Sequence, residues 1–294
     1  MPVVGFSELH KHASERRYKL AITHAHTLSV ARGVIESAIE LDAPIVLSVN
    51  GREINTMLLL SIEALARQAT CPVGLVANQL ESAEQATQAI RSGCSGLILA
   101  DKLTDSVRNE IRTLASSCGI DVIDHQELTG TLSLIDDELQ AVTLTAIKAI
   151  PNSWQQFDEI ISQASAEHLR SILNESAASG MGHAVLSTTA PWHPVEHLII
   201  YNTTKDEAES EKLAAEGRRV LDQIPGVRAT WSGRSIKPDA NYRWCWLIRF
   251  AHPAVIDSYR EHPEHVAYAD NHFRPAAGDR VSIDYELFGP EETA

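Results

Sequence analysis

The chain has 294 residues, a length that accommodates two domains of typical size. Its 44% hydrophobic and 22% charged residues are typical of folded globular proteins and argue against disorder. The formal net charge of -14 disfavours nucleic acid and anionic lipid as partners, because both require a basic surface.

Two further features favour a cytoplasmic protein. Residues 1–17 are polar and lack the apolar core of a signal peptide, and no apolar run reaches the roughly 18 residues of a membrane span. The 4 cysteines form no C-x-x-C pair. We therefore expect buried, inert thiols in a reducing compartment.

Residues 1–130 predict a series of strand–helix units. Apolar runs rich in Val, Ile and Leu alternate with amphipathic helical patterns. The predicted strands are 19–25, 44–50, 72–78, 95–101 and 120–125. Apolar runs without alternation are typical of parallel strands buried on both faces. Such strands fit either a barrel or an open doubly wound sheet. Because no GxGxxG motif follows the first strand, we favour a TIM-type βα barrel.

The barrel pattern weakens towards the end of the N-terminal domain. The run 139–147 fits either a strand or a helix, and 154–179 predicts one long amphipathic helix before a short strand at 183–188. A complete (β/α)₈ barrel usually takes about 250 residues. The N-terminal domain, residues 1–190, is therefore expected to be a compact or incomplete barrel.

A segment with two prolines, residues 188–194, predicts a linker to a second domain at residues 195–288. The pattern of this domain is β-α-β-β-α-α-β. Such a pattern predicts an α+β fold in which helices cover one face of an antiparallel sheet.

The second domain contains the motifs VEHLIIYN, IPGVRATWSG, SYREHPEHVAYADNHFRP and DRVSIDYE in this order. Together they resemble the stress-responsive dimeric α+β barrel (Dabb) family. The resemblance implies a ferredoxin-like domain that pairs sheet to sheet with a second copy, and hence a homodimer. Members include polyketide cyclases in which a Tyr/His pair acts on a poly-β-keto substrate. By motif position Tyr259 and His265 match that pair, and His197 matches a pocket histidine.

The stretch 259–268 places two histidines and two tyrosines around Pro263. An imidazole close to a phenol is a plausible acid/base pair. We expect His265 to abstract a proton next to a carbonyl, Tyr259 to stabilise the enolate oxygen, and His197 to orient the substrate. The structural alternative is that the proline ends a helix and the aromatic side chains fill the space beneath the sheet.

The first domain contains GFSELHKHASERRYKLAITHAHTLSVARGVIESAIELDAPIVLSV and PVGLVANQLESAEQATQAIRSGCSGLIL. These segments resemble the front half of class II, metal-dependent ketose-bisphosphate aldolases over residues 5–130. That family has an Asp-His pair for proton transfer and zinc binding where this chain has Asn78 and Gln79. Amides are not bases and are poor zinc ligands. The later zinc histidines and the phosphate loop of the family have no counterpart, so standard zinc aldolase chemistry is not expected.

Polar residues follow the predicted barrel strands, where barrel enzymes carry their sites. The candidate substrate-binding residues there are Asn78, Asp101 and Lys102. His24 and His26 point to one face of the first strand. Together with His125 they offer an alternative metal site, while hydrogen bonding at the barrel rim is the structural interpretation.

Trp244 and Trp246 are further candidate substrate-binding residues. Both side chains lie on one face of a predicted strand, with Cys245 on the other face. They predict either an aromatic pocket wall or part of a dimer core, because tryptophan is enriched at interfaces.

The combined features predict a lyase- or cyclase-type enzyme that acts on a small carbonyl or sugar-like compound without a required cofactor. Two alternatives stay open. One is a non-catalytic ligand-binding or dimerisation protein with a degenerate aldolase barrel. The other is a metal-dependent aldolase or hydrolase that uses the three N-terminal histidines.

Overall fold

The computed structural model describes residues 3–124, 132–134, 166–167, 169–170 and 178–287. The chain forms two compact units: the N-terminal unit extends to Ala115 and resumes over Ile120–Trp192, and the C-terminal unit contains Ser116–Gly119 and the residues from His193 onward. None of the helices in these ranges is long and apolar enough to cross a membrane.

The N-terminal unit alternates helices with parallel strands. Its elements are α1 (Phe6–Arg16), β1 (Leu20–His24), α2 (Leu28–Glu40), β2 (Ile45–Asn50), α3 (Thr56–Ala66), β3 (Val73–Leu80), α4 (Ala83–Arg91), β4 (Gly96–Leu99), α5 (Asp105–Ser117), β5 (Asp121–Asp124), β6 (Leu132–Leu134) and α6 (Gly182–Leu186). The strands pair in the order β5-β4-β3-β2-β1-β6. Strands β2, β3 and β4 are almost entirely buried, which explains their uninterrupted apolar sequences.

Among the described residues this sheet is open, since β5 and β6 each have a neighbour on one side only. A closed TIM-type barrel is therefore not found there, although the predicted α/β class and parallel pairing are confirmed. Uninterrupted apolar strands require burial on both faces, and an open parallel sheet covered by helices meets that requirement as well as a barrel does.

Local signals define both ends of helix α4. Ser82 caps α4, since its side chain accepts a hydrogen bond from the backbone N–H of Gln85 at 3.2 Å. Gly93 follows this helix with φ of 99°, a conformation that favours glycine.

Two N-terminal predictions need correction or lie outside the described part. The strand predicted at 183–188 is wrong, because Gly182–Leu186 forms the short helix α6. An apolar run this short does not distinguish a strand from a helical turn. The segment 139–147 and most of the predicted helix 154–179 lie outside the described residues.

The C-terminal unit has the predicted order of elements. They are β7 (Val195–Thr203), α7 (Glu207–Leu221), β8 (Val227–Arg234), β9 (Trp244–Phe250), α8 (Val255–Glu261), α9 (Pro263–Tyr268), a π-helical segment (Ala269–Phe273), a helical turn (Arg274–Ala276) and β10 (Ala277–Tyr285). The strands form an antiparallel sheet in the order β10-β7-β9-β8. This is the ferredoxin-like arrangement expected from the sequence.

The two faces of the C-terminal sheet differ in exposure. The inner face, on the side of α7, α8 and α9, carries Tyr201, Trp246 and Phe250, which are at most 1% exposed. The outer face carries Trp231 and Ile283, which are 46% and 42% exposed. The helices therefore cover one face and leave an apolar surface on the other.

Candidate functional site

The C-terminal unit contains a cavity of about 390 Å³ between the inner sheet face and helices α8 and α9. Aromatic side chains supply much of its wall: Trp246, Phe250, Tyr259, Tyr268 and Phe273. Polar groups also reach the cavity, among them His197, His265 and Arg280. A mainly apolar pocket with a few convergent polar groups is the usual form of a small-molecule site.

The break between α8 and α9 brings Tyr259 and His265 together. His262 ends α8 in extended conformation and accepts a hydrogen bond from the backbone N–H of Glu264, while Pro263 begins α9. The ring centroids of Tyr259 and His265 are consequently 4.4 Å apart. The cavity thus contains both side chains, as the acid/base interpretation requires.

The hydrogen bond of His265 defines its reactive nitrogen. Its Nδ1 lies 3.0 Å from the carbonyl oxygen of Arg260, so Nδ1 carries the proton and donates it. In the neutral ring Nε2 is then the basic atom. Burial lowers the pKa of His265, and the charges of His197 and Arg274 lower it further, against the hydrogen bond to Arg260 and the charge of Asp270. The imidazole is therefore unprotonated and able to accept a proton at neutral pH.

Tyr259 is suited to donate a hydrogen bond to a developing oxyanion. Its side chain is only 3% exposed, and burial raises the pKa of its phenol. The phenol therefore stays protonated at neutral pH. Its hydroxyl has no hydrogen-bond partner among the described residues, which leaves it available to a ligand in the cavity.

A second imidazole, that of His197, is held by a carboxylate on the neighbouring strand. His197 on β7 lies directly opposite Asp284 on β10, and Nδ1 is 2.6 Å from Oδ1 of Asp284. The carboxylate accepts the Nδ1 proton, so Nε2 is directed away from it, 3.5 Å from the Ser282 hydroxyl. The His197 ring is 5.9 Å from the ring of Tyr259, so the three predicted catalytic side chains lie in one cavity.

The polar residues of β10 were missed at the sequence level. Arg280, Ser282 and Asp284 line the cavity and alternate along this last strand. Their spacing of two residues puts them on one face, and that face was recognisable as polar from the sequence. The pairing of this strand with β7, which brings Asp284 to His197, depends on the tertiary fold.

The two tryptophans of β9 differ in position. Trp246 is 1% exposed and lines the cavity beneath the helices, whereas Trp244 is half-buried and does not line it. The dimer-core interpretation of Trp246 is therefore wrong, because its own domain covers it. Trp231 on β8 is the tryptophan of the outer face.

The N-terminal candidates belong to the other unit and do not line this cavity. Asn78 is buried at the end of β3, where its Nδ2 donates to Ser48 Oγ at 3.3 Å and its Oδ1 has no partner among the described atoms. Asp101 and Lys102 are exposed and follow β4. Their roles in substrate binding stay predictions.

The candidate metal site is only partly described. The rings of His24 and His26 stack with centroids 5.9 Å apart, while His125 lies outside the described residues. Within those residues, no three His, Cys, Asp or Glu side chains are grouped to hold a metal ion. Asn78 and Gln79, at the third strand, do not fit the zinc site of class II aldolases, because an amide is a poor zinc ligand.

Residues 195–287 match the family model described as the Stress responsive A/B Barrel Domain, so the C-terminal unit is a Dabb domain. This confirms the family predicted for the second domain from its motifs. None of the curated proteins compared with the chain matches it.

Solved structures similar to the chain include both kinds of protein that its sequence resembles. A Dabb family protein from Mesorhizobium loti is 24% identical, covers 33% of this chain and 98% of its own, and has a TM-score of 0.31. The hydroxynitrile lyase from Passiflora edulis is 18% identical, with 34% and 100% of the chains covered and a TM-score of 0.30. The YdjI aldolase from Escherichia coli K12 is 14% identical, with 61% and 99% covered and a TM-score of 0.41.

Proposed function

We propose that this chain is a lyase- or cyclase-type enzyme whose Dabb domain moves a proton next to the carbonyl group of a small molecule. The observation that carries the proposal is the Tyr259–His265 pair, with ring centroids 4.4 Å apart in a cavity of about 390 Å³. A base beside a hydrogen-bond donor is the minimum needed to remove an α-proton and stabilise the resulting enolate.

Each side chain has a distinct role in this proposal. Nε2 of His265 accepts the α-proton, because Nδ1 is engaged with the carbonyl of Arg260. The phenol of Tyr259 donates to the carbonyl oxygen as negative charge develops there. His197, fixed by Asp284, orients the substrate from the sheet side of the cavity. Enolate formation then permits carbon–carbon bond making or breaking, as the lyase and cyclase classes require.

The proposal extends to the assembly of the chain. Its outer sheet face carries exposed apolar side chains, among them Trp231 and Ile283. A second copy of the same face would remove this apolar area from water, which favours a homodimer formed sheet to sheet. The N-terminal unit is proposed to be an incomplete βα barrel of the aldolase type, because β1 to β5 neighbour one another in chain order and β6 lies beside β1.

Deuterium exchange tests the proposed chemistry on a simple ketone in place of the natural substrate. The full chain is incubated in D₂O at neutral pH with phenylacetone, whose α-protons exchange slowly without a catalyst, and the loss of the α-proton signal is followed by NMR. We expect exchange with the unmodified chain and a loss of about 100-fold or more with His265→Gln, the usual scale of general base catalysis. Equal exchange by both proteins would refute the assignment of His265 as the base.

A further inference from the structure

The cavity of the Dabb domain is also lined by arginine side chains that transfer no proton in the proposed chemistry. Three arginines line it, namely Arg260, Arg274 and Arg280, whereas Asp284 is the one carboxylate among the described residues of its lining. The chain as a whole carries a net charge of -14. A group of cations at one cavity therefore differs in sign from the charge of the whole protein.

Ion pairs neutralise most of these charges but leave one cation available. Arg274 pairs with Asp270, and Arg260 lies 3.3 Å from Asp257. Asp284, the carboxylate of the lining, pairs with His197. Arg280 makes no ion pair or side-chain hydrogen bond with any described residue, and its side chain lies on the cavity face of β10.

The strand register explains how Arg280 comes to this position. It lies opposite Tyr201, whose ring is buried on the inner face, and it is on the same face as Ser282 and Asp284. The neighbouring Asp279 is engaged elsewhere, with the hydroxyl of Tyr242 at 3.2 Å. An exposed guanidinium that lines a cavity and has no partner among the described residues is well suited to bind a planar or tetrahedral oxyanion through paired hydrogen bonds.

We propose that the substrate of this cavity carries an oxyanion group, a carboxylate or a phosphate, which Arg280 binds while the apolar part of the substrate lies against the aromatic wall. The proposal rests on the proposed function for its assignment of the cavity as a substrate site. It adds the chemical class of the substrate: an anionic compound with an apolar body. The anion is held on the sheet side, and the reacting carbonyl lies towards Tyr259 and His265.

Small aromatic compounds of similar shape but different charge can test whether the cavity prefers an anion. Benzoate and phenyl phosphate carry an oxyanion on an aromatic ring, and benzamide presents nearly the same shape as benzoate without the charge. Binding of each to the full chain is measured by calorimetry at low ionic strength. We expect the preferred anion to bind at least about 10-fold more tightly than benzamide and to weaken as salt is added, because salt screens exposed charges. The anion that binds more tightly shows whether the site prefers a carboxylate or a phosphate group.

Substitutions of Arg280 test whether this side chain causes the preference for an anion over benzamide. Arg280→Gln is expected to abolish the preference for the anion, and Arg280→Lys to retain part of it. Because Arg280 is exposed, neither change disturbs packing. Arg219→Gln is the matched control, since Arg219 is exposed on α7 and does not line the cavity. It should bind the probes like the unmodified chain.

Three results would overturn the proposal: equal binding of benzamide and the anions, no binding of any probe, or an unchanged preference in Arg280→Gln. Benzoate has no α-proton, and its binding is measured without turnover. A failure here therefore leaves the deuterium exchange result standing, and a failure of exchange leaves the binding result standing. The two proposals are tested separately.

Discussion

His197 and Asp284 are separated by 87 residues in the chain, yet Nδ1 of the histidine lies 2.6 Å from Oδ1 of the aspartate. The contact joins the first and last strands of the Dabb domain, β7 and β10, at directly opposed positions. The carboxylate thereby fixes both the orientation and the tautomer of the imidazole.

Replacement of Asp284 by Asn should show how much the contact with His197 contributes to the rate of α-proton exchange. The amide has nearly the same size but can present its NH₂ group to His197, which favours the wrong tautomer. We expect kcat for α-proton exchange to fall about 10-fold or more, less than the 10²- to 10⁴-fold loss for a group that transfers the proton itself. Asp279→Asn is the control, because Asp279 binds Tyr242 and does not line the cavity. Equal rates for the two variants would contradict the positioning role.

Tyr259→Phe should remove oxyanion stabilisation while leaving the fold intact. The hydroxyl has no partner among the described residues, so its loss breaks no internal hydrogen bond there. We expect kcat to fall about 100-fold, the scale observed for loss of one oxyanion donor, with an unchanged melting temperature. In the control Tyr242→Phe, the lost hydroxyl binds Asp279 outside the cavity and exchange should be unaffected. A Tyr259→Phe variant with full activity would exclude the proposed role.

The pH dependence of exchange should report the lowered pKa of His265. The base is active when unprotonated, so kcat/KM should decline on the acid side with a midpoint below the ordinary histidine value of 6.5. The same shift means that the unfolded chain binds more protons than the folded one as pH falls through that value. This group therefore also lowers the free energy of unfolding in acid. An acid limb at or above 6.5 would indicate a different base.

Charge on the outer sheet face should disrupt the proposed dimer. Trp231→Glu places a carboxylate where an apolar contact is expected, and we predict a dissociation constant raised by about 100-fold, typical of a central interface residue. Sedimentation measures the assembly, and the circular dichroism spectrum should be unchanged. Ile236→Glu is the matched control at a residue that is fully exposed between β8 and β9. A monomer before mutation would contradict the assembly outright.

The close approach of α7 to β9 should make Gly217 sensitive to a single methyl group. A Cβ there would lie 2.6 Å from Cζ2 of Trp246 and 2.7 Å from the hydroxyl oxygen of Tyr268. We expect Gly217→Ala to cost about 1 to 3 kcal/mol through overpacking, outweighing the gain of about 1 kcal/mol in helix propensity. At Gly278 the nearest atom would be 3.7 Å away, so Gly278→Ala should be near neutral in a urea titration. Similar midpoints for the two variants would contradict the packing argument.

Sequence patterns predicted the helices and strands better than they predicted the closure of the N-terminal sheet and the pairing of strands. Alternation along β9 and the order of elements defined the ferredoxin-like domain, because each is a local signal. The uninterrupted apolar strands β2 to β4 indicated parallel pairing, but burial on both faces does not distinguish an open sheet from a barrel.

The candidate site was predictable in part for the same reason. Tyr259 and His265 are close in sequence and flank a helix break marked by Pro263, so their proximity follows from local geometry. Asp284 and Arg280 reach the cavity only through the register of β10 against β7, which no local pattern specifies. The opposite faces of Trp246 and Trp231 likewise depend on which side of the sheet the helices cover.

The position of β10 in the chain has a consequence for biogenesis. During synthesis, His197 emerges with β7 long before its partner Asp284 and before Arg280, both of which belong to β10. The cavity therefore lacks Arg280, Ser282 and Asp284 until the last strand is inserted beside β7. A nascent chain that has completed every helix of the domain still lacks the arginine that we expect to bind the anion of its substrate.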